Sequence, residues 1–357
     1  MTSTQEDPEL GQAEKPPTQP TELPVDRTAT NPSIADGTLQ PSQTQEHTPS
    51  AVTGPVDFAS LPGLPRLRYN ILESKLKLFT IVFLLVAEAS LLPIGLYYGL
   101  ILGTTLRPGL VFAVITSFFG IVSGIEFGLR CLKLIRHGEK YRPRGATKWS
   151  FDFTHWTLSV AYTVMSAILI IFSIPHDPLV RPLAMPVALF LVQAGLHLTW
   201  AGWMNAARWP APFKISSVAK GEVVPPFVLT CVEDVVGVDG DGGREYRDAL
   251  MARYAASPRF RKMIIQQNWF WAVGSLAVGA GTLVVVWTVP ERVAYGVGWG
   301  APLVFVIIWT TICVVWVFHS LRREKEAWRA EHSPEKQGAS STTTQETAQA
   351  ASSIAHA

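Results

Sequence analysis

Six long apolar stretches, separated by polar segments, dominate the middle of the chain. Each is long enough to cross about 30 Å of hydrocarbon as a helix, which needs roughly 20 residues. Trp and Tyr cluster at the proposed ends, as in the aromatic belts at membrane–water interfaces. The pattern predicts an all-α membrane protein, a six-helix transmembrane bundle, with spans near residues 78–102, 109–130, 154–174, 183–203, 269–289 and 300–319.

Basic residues set the expected orientation of these spans. Seven Lys and Arg lie between spans two and three, in residues 130–148, and nine lie in the long connection 204–268 between spans four and five. More precede span one and follow span six, whereas the three alternate loops hold one Arg each. Because cytosolic loops carry the excess of Lys and Arg, both termini and the 204–268 connection are predicted to be cytosolic.

Composition divides the chain into three regions. Hydrophobic residues make up 48% and charged residues 16%, well below the quarter that is usual for soluble domains. Residues 1–60 form an acidic tail rich in Pro, Thr and Ser, and residues 326–357 are similarly polar. Such segments cannot bury enough apolar surface to fold. We therefore expect a membrane domain at 61–325 between two disordered tails.

The 204–268 connection is long enough to contain structure of its own. Its segment VPPFVLTCVEDVVGVDG is rich in β-branched residues and predicts a strand, and DGDGG predicts a turn. In the following segment, REYRDALMARYAAS, residues Tyr246, Leu250 and Tyr254 share one helical face. The connection is thus predicted to be a small strand–turn–helix insertion. Its helix lies either on the anionic membrane surface or against its own strands.

Span one contains an acid and a ridge of small residues. Glu88 lies within IVFLLVAEASLLPIGLYYGL, where a carboxylate facing lipid would be costly, so we expect it to face protein. Glycines at four-residue spacing allow helices to approach closely. They form two predicted packing ridges, one on span one and one on span two: Gly95, Gly99, Gly103, Gly120, Gly124 and Gly128.

Polar residues on spans one to four predict a pocket that opens toward the cytosol. Residues spaced by three and four share a helix face, which groups the polar positions of spans three and four. The candidate catalytic residues are Glu88, Glu126 and His197. The candidate pocket-lining residues are Asp152, His155, Ser159, Tyr162, Gln193 and Trp200. In the alternative interpretation, the serines bond to their own backbone, and Gln193 and His197 only join helices.

Several known chemistries lack their sequence signatures here. A phosphate loop, an HExxH pair and clustered histidines are all missing, which argues against an ATP-driven pump, a zinc protease and a di-iron oxidase. No cofactor or metal site is predicted. The expected partners are membrane lipids and an apolar small molecule, with self-association left open and no nucleic acid.

Five segments resemble a family of uncharacterised integral membrane proteins from filamentous fungi. They are LPGLPRLRYN, WSFDFTHW, SIPHDPLVRPLAMP, APFKISSVAKG and VEDVVGVDGDGGREYRDALMARYAASPRFRKM, and the resemblance covers residues 61 to 325. More distantly, the chain is similar to transmembrane proteins of fungal indole-diterpene biosynthetic clusters. The resemblance implies a fungal origin, a role in secondary metabolism, an internal membrane such as the endoplasmic reticulum, and a terpenoid or lipid-like ligand.

Three functions remain open, and whether the protein is an enzyme is not decided by the sequence. The first is a membrane enzyme or binding protein for an apolar molecule, with Glu88 as acid, Glu126 or His197 as base, and Trp200 stabilising a cation. The second is a solute or ion transporter or channel that uses Glu88 and the span-three stripe. The third is a non-catalytic membrane scaffold.

The predicted orientation can be tested with engineered Asn-x-Thr glycosylation sites. Because only luminal sites are modified, we expect sites in loop 175–182 to be glycosylated and sites in 204–268 to stay unmodified. A gel-mobility shift that is reversed by endoglycosidase measures the modification. The reverse pattern would contradict the orientation.

Overall fold

The computed structural model describes residues 63–65, 67, 90–147 and 149–331, and this part of the chain is helical. A short apolar helix, α1 (Leu92–Gly103), comes first. Five longer helices follow, each long and apolar enough to cross a membrane. They are α2 (Pro108–Arg136), α4 (Phe153–Ser173), α6 (Pro186–Ala206), α9 (Pro258–Thr288) and α10 (Glu291–Glu331). The all-α membrane architecture is thereby confirmed, and the first part of span one, with Glu88, lies outside the described residues.

Shorter elements connect the long helices. The four-residue helices α3 (Gly138–Tyr141) and α5 (Val180–Leu183) lie in loops. The 204–268 insertion contains α7 (Phe227–Asp234), a π-helical turn (Val235–Asp239) and α8 (Gly243–Ala256).

Proline and side-chain caps define where the long helices begin. The helices α2, α6 and α9 start with Pro108, Pro186 and Pro258, whose missing N–H groups would have no partner in the first turn anyway. The Asp152 carboxylate accepts a hydrogen bond from the His155 amide and caps α4. Ser257 caps α9 in the same way through the Phe260 amide.

Helix α6 is central to the bundle, since it packs against α4, α9 and α10. Helix α2 packs against α1 and α4, and α1 also contacts α10. The insertion lies at the end of the bundle where α2 and α6 finish and α4 and α9 start, which we call the insertion end. The loops between α1 and α2, α4 and α6, and α9 and α10 form the opposite end.

An aromatic core closes the opposite end. Tyr295 stacks on Tyr97 with ring centroids 4.2 Å apart, and Phe112 meets Tyr295 edge-on. Trp299 is fully buried, and its indole N–H donates to the Leu183 carbonyl at 3.0 Å. These contacts join α1, α2, α10 and the α5 region, so the aromatic core fixes four segments at one place.

Helices α9 and α10 are longer than the other membrane helices, and both contact the insertion. With 31 and 41 residues they are longer than a membrane crossing needs, and α10 continues through residues 326–331, which the composition assigns to the C-terminal tail. Tyr246 and Leu250 of α8 pack with Phe260, Met263 and Ile264 of α9. Among the alternatives for this amphipathic helix, packing inside the protein is the one observed.

The predicted strand in the insertion is wrong, because residues 227–239 are helical. The buried positions Phe227, Thr230 and Asp234 are spaced by three and four residues, which fits a helix face. Pro226 precedes the first turn, where its ring is compatible with a helix start. Helical burial thus outweighs the β-branched composition. The turn over DGDGG is present, and α8 packs against helices instead of strands.

The two predicted glycine ridges do not mediate helix packing in the described part of the chain. A Cβ atom added at any of the six ridge glycines would meet no described heavy atom within 4 Å. Gly99 and Gly124 are exposed. Their four-residue spacing predicts that these glycines share a helix face, but it does not indicate whether that face is buried.

Other glycines make the close approaches, chiefly between α6 and α9. A Cβ at Gly195 would lie 2.7 Å from Cγ of Leu276. A Cβ at Gly279 would lie 3.0 Å from the Ala188 carbonyl oxygen and 2.9 Å from Cγ2 of Val192. Real Cβ atoms rarely come this close, so the two backbones need glycine at these positions.

We therefore expect Gly279→Leu to destabilise the bundle by about 1–3 kcal/mol or more, because its neighbours include immobile backbone. Gly124→Leu, at a ridge position without described neighbours, is the matched control and should melt like wild type. Thermal unfolding in detergent measures both. Equal losses in the two variants would contradict this assignment of the packing surface.

Candidate functional site

Five ionisable side chains form a buried cluster at the insertion end, which we call the ionic cluster: Arg130 (α2), Asp152 (before α4), Glu233 and Asp234 (α7), and Arg247 (α8). All are at most 5% exposed. Burying charges this completely is costly unless they are paired and hydrogen-bonded. Their contacts therefore decide how the insertion attaches to the bundle.

Arg247 is the centre of the cluster. Its Nη1 donates to Glu233 Oε1 at 2.7 Å and to Asp234 Oδ1 at 2.6 Å, while Nε donates to the Tyr141 carbonyl at 3.1 Å. Its Nη2 lies 3.5 Å from Asp152 Oδ2. One guanidinium thus connects α8, α7, α3 and the start of α4.

Arg130 completes the connection from the bundle side. Its Nη2 donates to Asp152 Oδ2 at 2.8 Å, and its Nη1 pairs with Asp239 in the π-helical turn. Asp234 Oδ2 in turn accepts from the Thr154 amide at 3.1 Å and from the Ser216 hydroxyl at 2.6 Å. The first amide groups of α4 are therefore capped by carboxylates from two parts of the chain.

Carboxylates outnumber guanidiniums inside the cluster, three to two. Burial and the neighbouring Asp234 carboxylate raise the pKa of Glu233 to about 7. The same two causes raise the pKa of Asp152 to about 6, although Arg130 and Arg247 oppose the shift. The cluster is therefore a place where a proton can be held near neutral pH.

The basic loop between α2 and α4 is paired with acids of the insertion. Lys140 bonds to Asp241 at 3.0 Å, and Tyr141 bonds to the same carboxylate. These two hydrogen bonds lower the pKa of Asp241. Arg144 pairs with Asp248 at 2.7 Å. Several basic residues of this loop thus hold the insertion against the bundle.

The polar stripe of α4 divides between several environments. The His155 ring is stacked between Phe127 and Phe151, at 4.3 and 4.5 Å between centroids, with its Nε2 3.4 Å from the Cys131 sulfur. Ser159 donates to the His155 carbonyl at 2.8 Å, which is local backbone bonding. Tyr162 meets Phe127 edge-on.

The polar residues of α6 also serve different roles. Gln193 donates to the Thr157 carbonyl at 2.9 Å and so joins α6 to α4. His197 and Trp200 instead line an open groove with a volume of 390 Å³. The groove is completed by Phe153 at the start of α4, Leu196 of α6, and Phe213 in the loop that follows α6.

The His197 ring has a fixed orientation in this groove. Its Nδ1 lies 2.8 Å from the Gln193 carbonyl oxygen, which can only accept, so Nδ1 carries the hydrogen. In the neutral ring Nε2 is then the acceptor. Phe227 packs against the ring, with centroids 5.6 Å apart. The groove thus combines mostly apolar walls with one oriented acceptor.

Two of the three predicted catalytic residues, Glu126 and His197, lie in the described part of the chain, and only His197 lines the groove. Glu88 lies outside the described residues. Glu126 is half-buried on α2 and is not among the groove-lining residues. The structure brings together Asp152 and His155 in one place, and His197 and Trp200 in another.

Sequence reasoning missed four of the five members of the ionic cluster and included only Asp152. Arg130 and Arg247 were treated as cytosolic charge, and Glu233 and Asp234 were placed in a strand. One signal for Arg247 was available, because it lies three residues before Leu250 and shares its buried helix face. The long-range partners could not be read from a single chain.

Together these features define a multi-pass helical membrane protein with a helical insertion attached at one end of the bundle. The chain belongs to the family described as Domain of unknown function (DUF8766), whose model matches residues 55–328. Searches of curated proteins and of solved structures gave no match.

Arg247→Met should destabilise the protein by about 3–5 kcal/mol, because it leaves buried carboxylates without their shared partner. The control is Arg322→Met, which removes an ion pair with Glu326 whose side chains are 81% and 60% exposed. Such exposed pairs contribute little, so this variant should melt within about 0.5 kcal/mol of wild type. Similar losses in both would mean that the ionic cluster does not anchor the insertion.

Proposed function

We propose that the protein binds an amphipathic apolar molecule, terpenoid or lipid-like, in the groove lined by His197 and Trp200. The observation that carries the proposal is the composition of this groove: four large apolar side chains and one imidazole of fixed orientation. Ligand sites of this type combine apolar walls with a few oriented polar groups. Membrane lipids are the expected surroundings of the exposed helix faces.

The groove favours a ligand with a hydroxyl group. With Nδ1 donating to the Gln193 carbonyl, His197 Nε2 accepts a hydrogen bond from an alcohol. Trp200 and Phe213 are both partly exposed and offer flat apolar surface for a hydrocarbon chain or ring system. An isoprenoid alcohol satisfies both requirements.

Binding is favoured over catalysis at this groove. Among the five lining residues, His197 is the one with an ionisable side chain. General acid–base chemistry of the kind considered for Glu88, Glu126 and His197 would need a second group within hydrogen-bond reach of the substrate. The resemblance to fungal proteins makes secondary metabolism at an internal membrane our proposal for the biological setting.

Photolabelling in lipid nanodiscs tests the proposal. The probe is a farnesol analogue that carries a diazirine, and mass spectrometry locates the labelled residues. We expect labels around Leu196–Trp200 and Phe213, displaced by farnesol about fivefold more effectively than by farnesene, which lacks the hydroxyl. This ratio corresponds to one hydrogen bond of about 1 kcal/mol.

The matched variants separate the role of His197 from general hydrophobicity. His197→Leu keeps an apolar groove but removes the acceptor, so farnesol and farnesene should displace the probe equally. His319→Leu changes an exposed histidine of α10 outside the groove and should behave like wild type. Labels spread evenly over exposed apolar residues such as Val304 and Phe318 would show simple partitioning into lipid and would refute a specific groove.

A further inference from the structure

The ionic cluster and the groove are joined by direct hydrogen bonds. Ser216 donates its hydroxyl to Asp234 at 2.6 Å and accepts from the Phe153 amide at 3.1 Å. Phe153 is one wall of the groove. Ser216 belongs to the same loop as Phe213, the opposing wall, whose ring lies 5.8 Å from that of Phe153. A change in the charge of the cluster therefore acts on both walls.

Three carboxylates and two guanidiniums leave one buried negative charge without a matching cation. The other charged and titratable groups that face the cluster modify this balance but do not bury a third cation in it: Cys131, Tyr141, His155, Lys214, Cys231 and the partly exposed Asp239. Neutralising one carboxyl with a proton removes the imbalance at little structural cost.

Hydrogen-bond geometry selects Glu233 as the carboxyl that takes this proton. Asp234 accepts from three donors, distributed over both of its oxygens. Asp152 accepts from the His155 amide on Oδ1 and from Arg130 on Oδ2. For Glu233, the donors in the described part of the chain, Ser217 and Arg247, both bond to Oε1, which leaves Oε2 to carry hydrogen.

We propose that the ionic cluster is a proton-operated latch. With Glu233 protonated, the insertion is held against α4 and the groove walls Phe153 and Phe213 stay in place. When the proton is lost, the buried carboxylates repel one another and both walls loosen. The walls therefore hold an apolar ligand more tightly with Glu233 protonated than with Glu233 ionised, an inference that rests on the proposed function of the groove.

Whether the protein is more stable at low or at high pH follows from the linkage between proton binding and folding. Burial beside Asp234 raises the pKa of Glu233 from its ordinary value of 4.5 to about 7. Stabilisation by this group is therefore complete below pH 4.5 and is lost as the pH rises through about 7. Asp152 contributes with the same sign over a lower window, since its pKa is raised from 3.8 to about 6.

The first measurement is the melting temperature of the purified full-length protein in detergent between pH 5 and 8.5, which needs no ligand. We expect wild type to melt a few degrees lower at pH 8.5 than at pH 6. Glu233→Gln keeps both bonds to Oε1 and mimics the protonated acid, so it should lose most of this dependence and melt above wild type at pH 8.5. The control Glu139→Gln changes an exposed acid and should follow the wild-type curve.

The second measurement is farnesol displacement of the diazirine probe in nanodiscs at pH 6 and pH 8.5, made in the His197→Leu background because a protonated imidazole would offer the ligand no acceptor. We expect severalfold weaker displacement at pH 8.5 in His197→Leu and equal displacement at both values in His197→Leu/Glu233→Gln. Parallel melting curves for wild type and Glu233→Gln would overturn the latch even if the groove binds the probe. Proton-dependent melting with pH-independent displacement would overturn its link to the groove. Absence of groove labelling at either pH would instead refute the proposed function, and the regulation with it.

Discussion

The buried Arg247 guanidinium is the interaction on which the insertion end depends. It bonds to carboxylates of α7 and to the backbone of α3, and it lies beside the carboxylate that caps α4. A charged group can be fully buried here because its Nε and Nη1 donate to acceptors and its Nη2 lies 3.5 Å from the Asp152 carboxylate. The insertion is therefore part of the folded unit that contains the bundle, and it fixes where α4 begins.

This arrangement gives positive charge at the membrane boundary a second role. Lys and Arg near the helix ends set the orientation of a membrane protein, whatever they contact. Here Arg130, Lys140 and Arg144 also pair with acids of the insertion. The residues from which the orientation is predicted thus also dock the insertion, which explains how a loop with high positive charge can be closely packed.

Periodicity along the chain was sufficient to predict the membrane helices, because a span is a local property of about 20 residues. The five long helices fall on predicted spans, and the aromatic face of α8 was also predicted. The strand was wrong, and the ridge glycines have no close neighbours among the described residues, for one reason: burial is set by partners distant in sequence. Gly279 approaches Ala188, and Asp234 caps α4 eighty residues earlier, and neither relation leaves a local signature.

The candidate polar residues lie in separate environments. Most of them have a structural role, which leaves few candidates for ligand binding. Gln193 joins helices, Ser159 bonds to its own helix, and Asp152 is a helix cap within the ionic cluster. His197 is different, because its ring is held by a carbonyl on one side and borders an open apolar groove on the other. The hydrogen bond from Nδ1 to the carbonyl four residues earlier and the contact with Phe227 fix the ring, which leaves Nε2 as an acceptor in the neutral imidazole. Under the proposed function, this acceptor would bind the hydroxyl group of the ligand, and the hydrogen bonds from the ionic cluster to the groove walls would make that binding depend on the charge of the cluster.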